Sequence, residues 1–143
     1  MIKLDAPILP WIGIGNLNLY SHISNFYPLL SKGEVKVKLL GKFLVRYEVN
    51  NSIDLWFNLM NGKLFKLTAL SNYTGTLFES IKIGMHIDEV LKIEPSFEYD
   101  EFEEVYCSNK GIYIETDPTN DLVLWISVYI KEIENQEFES GNW

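Results

Sequence analysis

Two runs rich in β-forming residues, 53–60 and 63–71, flank the pair Asn61-Gly62, and nothing else in the chain restricts its fold so tightly. An Asn-Gly pair readily supplies the two positive φ angles of a type I′ turn, whose twist matches that of the strands it joins. An antiparallel hairpin is therefore predicted over 53–71. Upstream, Val35, Val37 and Leu39 alternate with Lys36, Lys38 and Leu40, and 43–49 continues the alternation after Gly41. With Asn50-Asn51-Ser52 as the intervening turn, residues 34–71 read as a meander in which Lys36, Lys38, Lys42 and Lys66 face solvent.

The second half follows the same order. Ile87, Val90 and Leu91 have helical spacing behind Gly84-Met85, and Asp88-Glu89 fall in the first turn, where the helix dipole favours carboxylates. This predicts a short helix over about 86–93, stopped by Pro95. Strands are expected at 103–108, 111–117 and 122–131, with a shorter piece at 97–99, and turns at Asn109-Lys110-Gly111 and 118–121. His22-Ile23-Ser24-Asn25-Phe26 matches His86-Ile87-Asp88-Glu89-Val90 in pattern. The chain thus reads as an α+β protein of two helix-plus-antiparallel-meander repeats, about 16–71 and 80–131. They are expected to pack as one pseudo-symmetric two-sheet domain spanning 1–143, with the apolar faces closing on each other. In the first helix, Ser24 as N-cap places Pro28 in the first turn, where proline is tolerated.

A chain of 143 residues, 47% hydrophobic and 14% aromatic, can bury roughly 68–70% of its unfolded surface and needs no disulfide. Its one cysteine, Cys107, is expected as a buried structural thiol. The start, Met1-Ile2-Lys3-Leu4-Asp5-Ala6-Pro7, lacks a charged region followed by a long apolar run, which favours the cytoplasm. The longest apolar stretch, 123–130, has strand length, so no membrane span is expected.

Charge divides the chain near its middle. Residues 1–75 carry eight Lys/Arg against four Asp/Glu, and 76–143 carry four Lys against sixteen Asp/Glu, so the balances are +4 and −12. A strongly acidic side attracts cationic partners and repels nucleic acid and anionic lipid. The densest run places Glu94, Glu98, Asp100, Glu101, Glu103 and Glu104 around Phe97, Tyr99 and Phe102. Such a run suits a solvated strand edge kept acidic against edge pairing. Its interleaved aromatics equally suit a surface for a basic partner.

Other motifs carry less. The run lacks the alternating oxygens and central glycine of a calcium loop, Asp117 and Asp121 around Pro118 fit turn chemistry, and His22 and His86 have no neighbour at metal-ligand spacing. No metal or other cofactor is expected. Gly13-Ile14-Gly15 lacks the third glycine of a dinucleotide fingerprint and reads as a turn.

Four segments together resemble the bacterial immunity proteins of contact-dependent growth inhibition and related polymorphic toxin systems. They are Ile83-Gly84-Met85-His86-Ile87-Asp88-Glu89-Val90, the run from Ser96 to Tyr106, Lys110-Gly111-Ile112-Tyr113-Ile114-Glu115-Thr116-Asp117, and Trp125-Ile126-Ser127-Val128. Trp11-Ile12-Gly13-Ile14-Gly15 extends the likeness loosely into the first half. The resemblance implies a cytoplasmic, non-enzymatic protein that binds the nuclease domain of a cognate toxin, and a fold reminiscent of Whirly domains. On that basis Glu98, Tyr99, Asp100, Glu101, Phe102, Glu103, Glu104, Asp117 and Asp121 are the expected toxin-facing residues. Two alternatives stand beside it: an adaptor or single-strand nucleic-acid binder using the basic meander, and a carboxylate-based hydrolase. The hydrolase requires a pocket in which two acids with perturbed pKa values converge.

Overall fold

In the N-terminal segment three two-residue strands, β1 (Ile8–Leu9), β2 (Gly13–Ile14) and β3 (Leu17–Asn18), pair into a small antiparallel sheet. The computed structural model describes residues 2–143. A 3-10 turn at Ile23–Phe26 runs into α1 (Tyr27–Leu30), and four strands follow: β4 (Val35–Leu40), β5 (Leu44–Val49), β6 (Ile53–Asn58) and β7 (Lys63–Ala69). The second unit supplies α2 (Ile87–Ile93), then β8 (Glu98–Asp100), β9 (Val105–Ser108), β10 (Ile112–Thr116) and β11 (Val123–Tyr129). A last 3-10 turn, Lys131–Glu134, leads to the C-terminal tail.

The fold is α+β with two antiparallel sheets, and each meander follows its short helix as expected. The meanders share one eight-stranded sheet, ordered β4-β5-β6-β7-β11-β10-β9-β8. They join edge to edge through β7 and β11 instead of closing face to face, and the second sheet is the N-terminal three-stranded one. Both joining strands are apolar on their core side and have a small hydroxyl residue on the other. Thr68 pairs with Ser127, and their buried hydroxyls lie 2.8 Å apart. Strands covered on both sides belong in the middle of a sheet.

The repeat extends to individual hydrogen bonds. His22 Nδ1 accepts from the Ser24 N–H at 3.2 Å, and His86 Nδ1 accepts from the Asp88 N–H at 3.1 Å. Each histidine bridges to the entry of its unit's last strand, His22 to Lys63, the first residue of β7, and His86 to Leu122, immediately before β11. The next N–H in each unit, from Ile23 or Ile87, donates to the carbonyl just before that bridge, on Gly62 or Asp121. Both carbonyls belong to residues with positive φ, 71° and 59°. His22 and His86 are thus helix caps. The first cap is His22 rather than Ser24, because a 3-10 turn precedes α1, while Pro28 lies in the first turn of α1 as expected.

The hairpin at 53–71 is present, but its turn differs. Asn58 pairs with Lys63, leaving four residues in the connection, and only Gly62 has positive φ. Asn61 instead uses Oδ1 to accept from the Lys63 N–H at 2.9 Å. The type I′ geometry occurs one hairpin earlier, where Asn50 and Asn51 have φ of 52° and 53° and the Ser52 N–H closes on the Val49 carbonyl. Ile12-Gly13-Ile14-Gly15, expected as a turn, contributes β2.

One face of the large sheet is the core. Val45, Leu55, Phe57, Leu67, Ile114, Ile126 and Val128 are buried together with Ile8 and Ile14 from the small sheet and Phe26, Ile87 and Val90 from the helical segments. Each such side chain contributes about 1.5–3 kcal/mol by leaving water. The tail packs at the end of the β6–β7 hairpin, where Phe138 meets Phe65 at 4.9 Å. The opposite face of the sheet is polar, covered at its centre by its own large side chains, and it carries the features described next.

Candidate binding face of the sheet

Strand register lays out the polar face residue by residue. Lys36, Glu48, Asp54, Thr68, Ser127, Tyr113, Cys107 and Glu98 are successive cross-strand partners, one from each of the eight strands. The row starts on a lysine at one edge and ends on a glutamate at the other.

At the acidic edge, Glu98 and Asp100 lie on this face and Tyr99 on the other. Asp100 Oδ1 accepts from the N–H groups of Phe102 and Glu103 at 2.9 and 3.1 Å, fixing the turn from β8 to β9. That turn leaves Phe102 91% exposed and Tyr99 50% exposed, the latter tilted against Tyr106 at 4.9 Å. Among the described residues the Lys and Arg ion pairs are Lys36–Glu48 and Lys110–Glu94, so Glu98, Glu101, Glu103 and Glu104 have none. Glu94 is tied to Lys110 at 2.8 Å, which holds its carboxyl below the usual range.

Asp117 and Asp121 lie in the neighbouring turn at the same end of the sheet, because Asp100 pairs with Val105 while Tyr106 pairs with Ile114. Asp117 Oδ1 receives the Thr119 N–H and hydroxyl at 2.8 and 2.6 Å, and these bonds lower its pKa. Asp121 is exposed at φ 59°. Burial, and then the charges of Asp121, Tyr99 and Asp88, push the Tyr106 hydroxyl upward. The nine expected residues therefore converge on two adjacent turns and β8. Asp100 and Asp117 act there as turn-forming groups.

A second feature of this face was not anticipated. Between β5 and β10 lies a half-open groove of about 330 Å³. Its floor holds Lys66, whose ammonium sits 4.1 Å from the Trp56 ring centre and 4.6 Å from that of Tyr113. Expected at the solvent face, Lys66 is boxed by aromatics because register places Trp56 beside it and Tyr113 one strand beyond β11. Burial lowers its pKa to about 8, opposed by Glu115 and Asp54. Asp54 is 5% exposed, and no group among the described residues donates to its Oδ1. Desolvation raises its pKa to about 6, with Arg46 opposing. Burial also raises Glu115, against the pull of Lys66. Two acids with raised pKa values thus line one pocket, the feature named above as the requirement of a hydrolase. The only sequence signal was polar alternation in strands. Convergence came from register.

Asp54 is expected to make stability pH-dependent. Its folded pKa lies above the unfolded 3.8, so ionising it opposes folding. The penalty is full above about pH 6, fades through the window between the two values and is absent below about pH 4. Asp54→Asn should therefore stabilise the protein by about 1–3 kcal/mol at pH 7.5 and have no such benefit at pH 4. Urea unfolding at the two pH values checks this, and an equal effect at both would exclude it.

Cys107, expected to be buried, is half-buried on this face, with its thiol pKa pushed up by burial and then by Asp100, Glu134 and Glu103. Among the described residues no three His, Cys, Asp or Glu side chains gather in a metal-binding set. No helix there is long and apolar enough to cross a membrane.

No protein-family model matches the chain, and no curated protein gives a significant sequence match. Its fold is similar to the solved structure of a cysteine-rich secretory protein from Staphylococcus aureus subsp. aureus Mu50, with a TM-score of 0.52 and 15% identity. The similarity covers 91% of this chain and 48% of that one, so the chain spans about half the length of that protein. At this identity the likeness concerns architecture.

Proposed function

We propose that the chain is a cytoplasmic immunity protein that binds the basic nuclease domain of a cognate toxin through the β8–β9 corner and the adjacent 117–121 turn. The observation that carries this reading is Phe102, 91% exposed at the tip of a turn whose glutamates have no cationic partner among the described residues. An exposed aromatic within unpaired carboxylates suits a cationic surface that draws the partner in by charge and then buries the ring. A nuclease that grips phosphates offers such a surface, and carboxylates can stand in for the phosphates. The sequence resemblance points the same way.

The test uses the C-terminal domain encoded by the neighbouring upstream reading frame. Replacing Glu98, Asp100, Glu101, Glu103 and Glu104 by their amides should slow association at low salt by about tenfold or more and flatten its salt dependence. Phe102→Ala should chiefly speed dissociation. An unchanged association rate at low salt would reject the assignment.

A further inference from the structure

The groove between β5 and β10 has a floor of mixed charge that the toxin reading does not use. Asp54 Oδ1 is a buried acceptor with no donor among the described residues. Beside it, Lys66 meets two ring faces and makes no ion pair among the described residues. Arg46 adds a further positive charge and Glu115 a further negative one, while the third acid of the lining, Glu48, is paired with Lys36 at 3.6 Å. An anion entering here is opposed by Asp54 and Glu115, and a cation by Lys66 and Arg46. A hydroxyl donates one hydrogen bond and accepts two, so neighbouring hydroxyls satisfy Asp54 and Lys66 together without adding charge. Trp125, 39% exposed at the rim, offers a flat apolar surface for the C–H face of a ring. The volume lies at the lower end for small-molecule pockets, enough for one or two sugar rings.

We infer that this groove is a binding site for a neutral saccharide, held by hydroxyl contacts to Asp54 and Lys66 and by stacking on Trp125. The site is separate from the acidic corner and stands whether or not that corner binds a toxin. Affinity is set by few contacts on an open surface and falls in the millimolar range.

The whole chain is titrated with methyl glucoside, methyl galactoside and methyl N-acetylglucosaminide while the indole N–H resonances are followed. Trp125 and Trp56 should shift saturably with at least one glycoside, whereas Trp143, stacked on Phe138 outside the groove, should not. Trp125→Ala and Asp54→Asn should each weaken binding by about tenfold or more. Unchanged circular dichroism would show that both variants remain folded. The inference fails if none of the glycosides moves Trp56 or Trp125 by about 100 mM, a concentration well beyond millimolar affinity. It fails equally if glycine or sodium phosphate produces the same saturable shift, since the site would then recognise charge.

Discussion

Phe57→Ala should cost about 4 kcal/mol and lower the melting temperature by about 10–15 °C, the largest effect expected of any single truncation considered. Phe57 is fully buried and meets Phe26 and Tyr47 edge-on at 5.4 and 5.9 Å, so its ring ties the first helical segment to the centre of the sheet. Its position depends on a bulge. Register shifts between Trp56 and Phe57, so that Trp56 pairs with Lys66 and Phe57 with Leu64. Phe65, the extra residue, is then free to meet Phe138 of the tail. Phe57→Leu keeps most of the volume and should lose only about 1–1.5 kcal/mol. Equal melting of the Ala and Leu variants would show that the ring is not the tie described.

Asn58→Ala should cost about 2–3 kcal/mol. This residue is wholly buried, with Oδ1 accepting from the Met60 N–H at 2.8 Å and Nδ2 donating to the carbonyls of Phe138 and Glu139 at 2.8 and 3.3 Å. Alanine would strand the carbonyls and the Met60 N–H. Asn58→Asp should be worse at neutral pH, because a carboxylate would face two carbonyl oxygens in place of a donor. Its folded pKa would rise above the unfolded value, so the added penalty should fade on acidification towards about pH 4. Phe138→Ala should cost about 3 kcal/mol, and combining it with Asn58→Ala should cost less than the sum, since both changes release the same tail. Denaturant unfolding of the two single variants and the double variant measures the coupling. Strict additivity would mean that hairpin and tail are independent.

Local order was readable wherever a short pattern determines its own geometry. The alternation of 34–71, the spacing of Ile87, Val90 and Leu91, and the matched His22 and His86 segments each led to elements close to those observed. Turn type was less legible. Asn61 prefers a side-chain bond to the Lys63 N–H over a positive φ, and the two asparagines at 50–51 take the left-handed geometry instead. Nothing local specifies that β7 should pair with β11, since their contacts join residues far apart in sequence. The acidic corner was visible because its residues are contiguous. The groove was not: Asp54, Lys66, Glu115 and Trp125 come from four different strands, and each alone looks like the polar side of an alternating pattern.

The seam between β7 and β11 bears on how the protein reaches its native state. Each unit can assemble its meander from neighbouring strands, but the seam requires two distant segments to find each other, which costs loop-closure entropy before any contact compensates it. Until then β7 and β11 are bare edges, apolar enough to pair with the wrong chain. Folding of the two halves is therefore expected to be quick and local, with their union the slow step and the interval of greatest risk of aggregation.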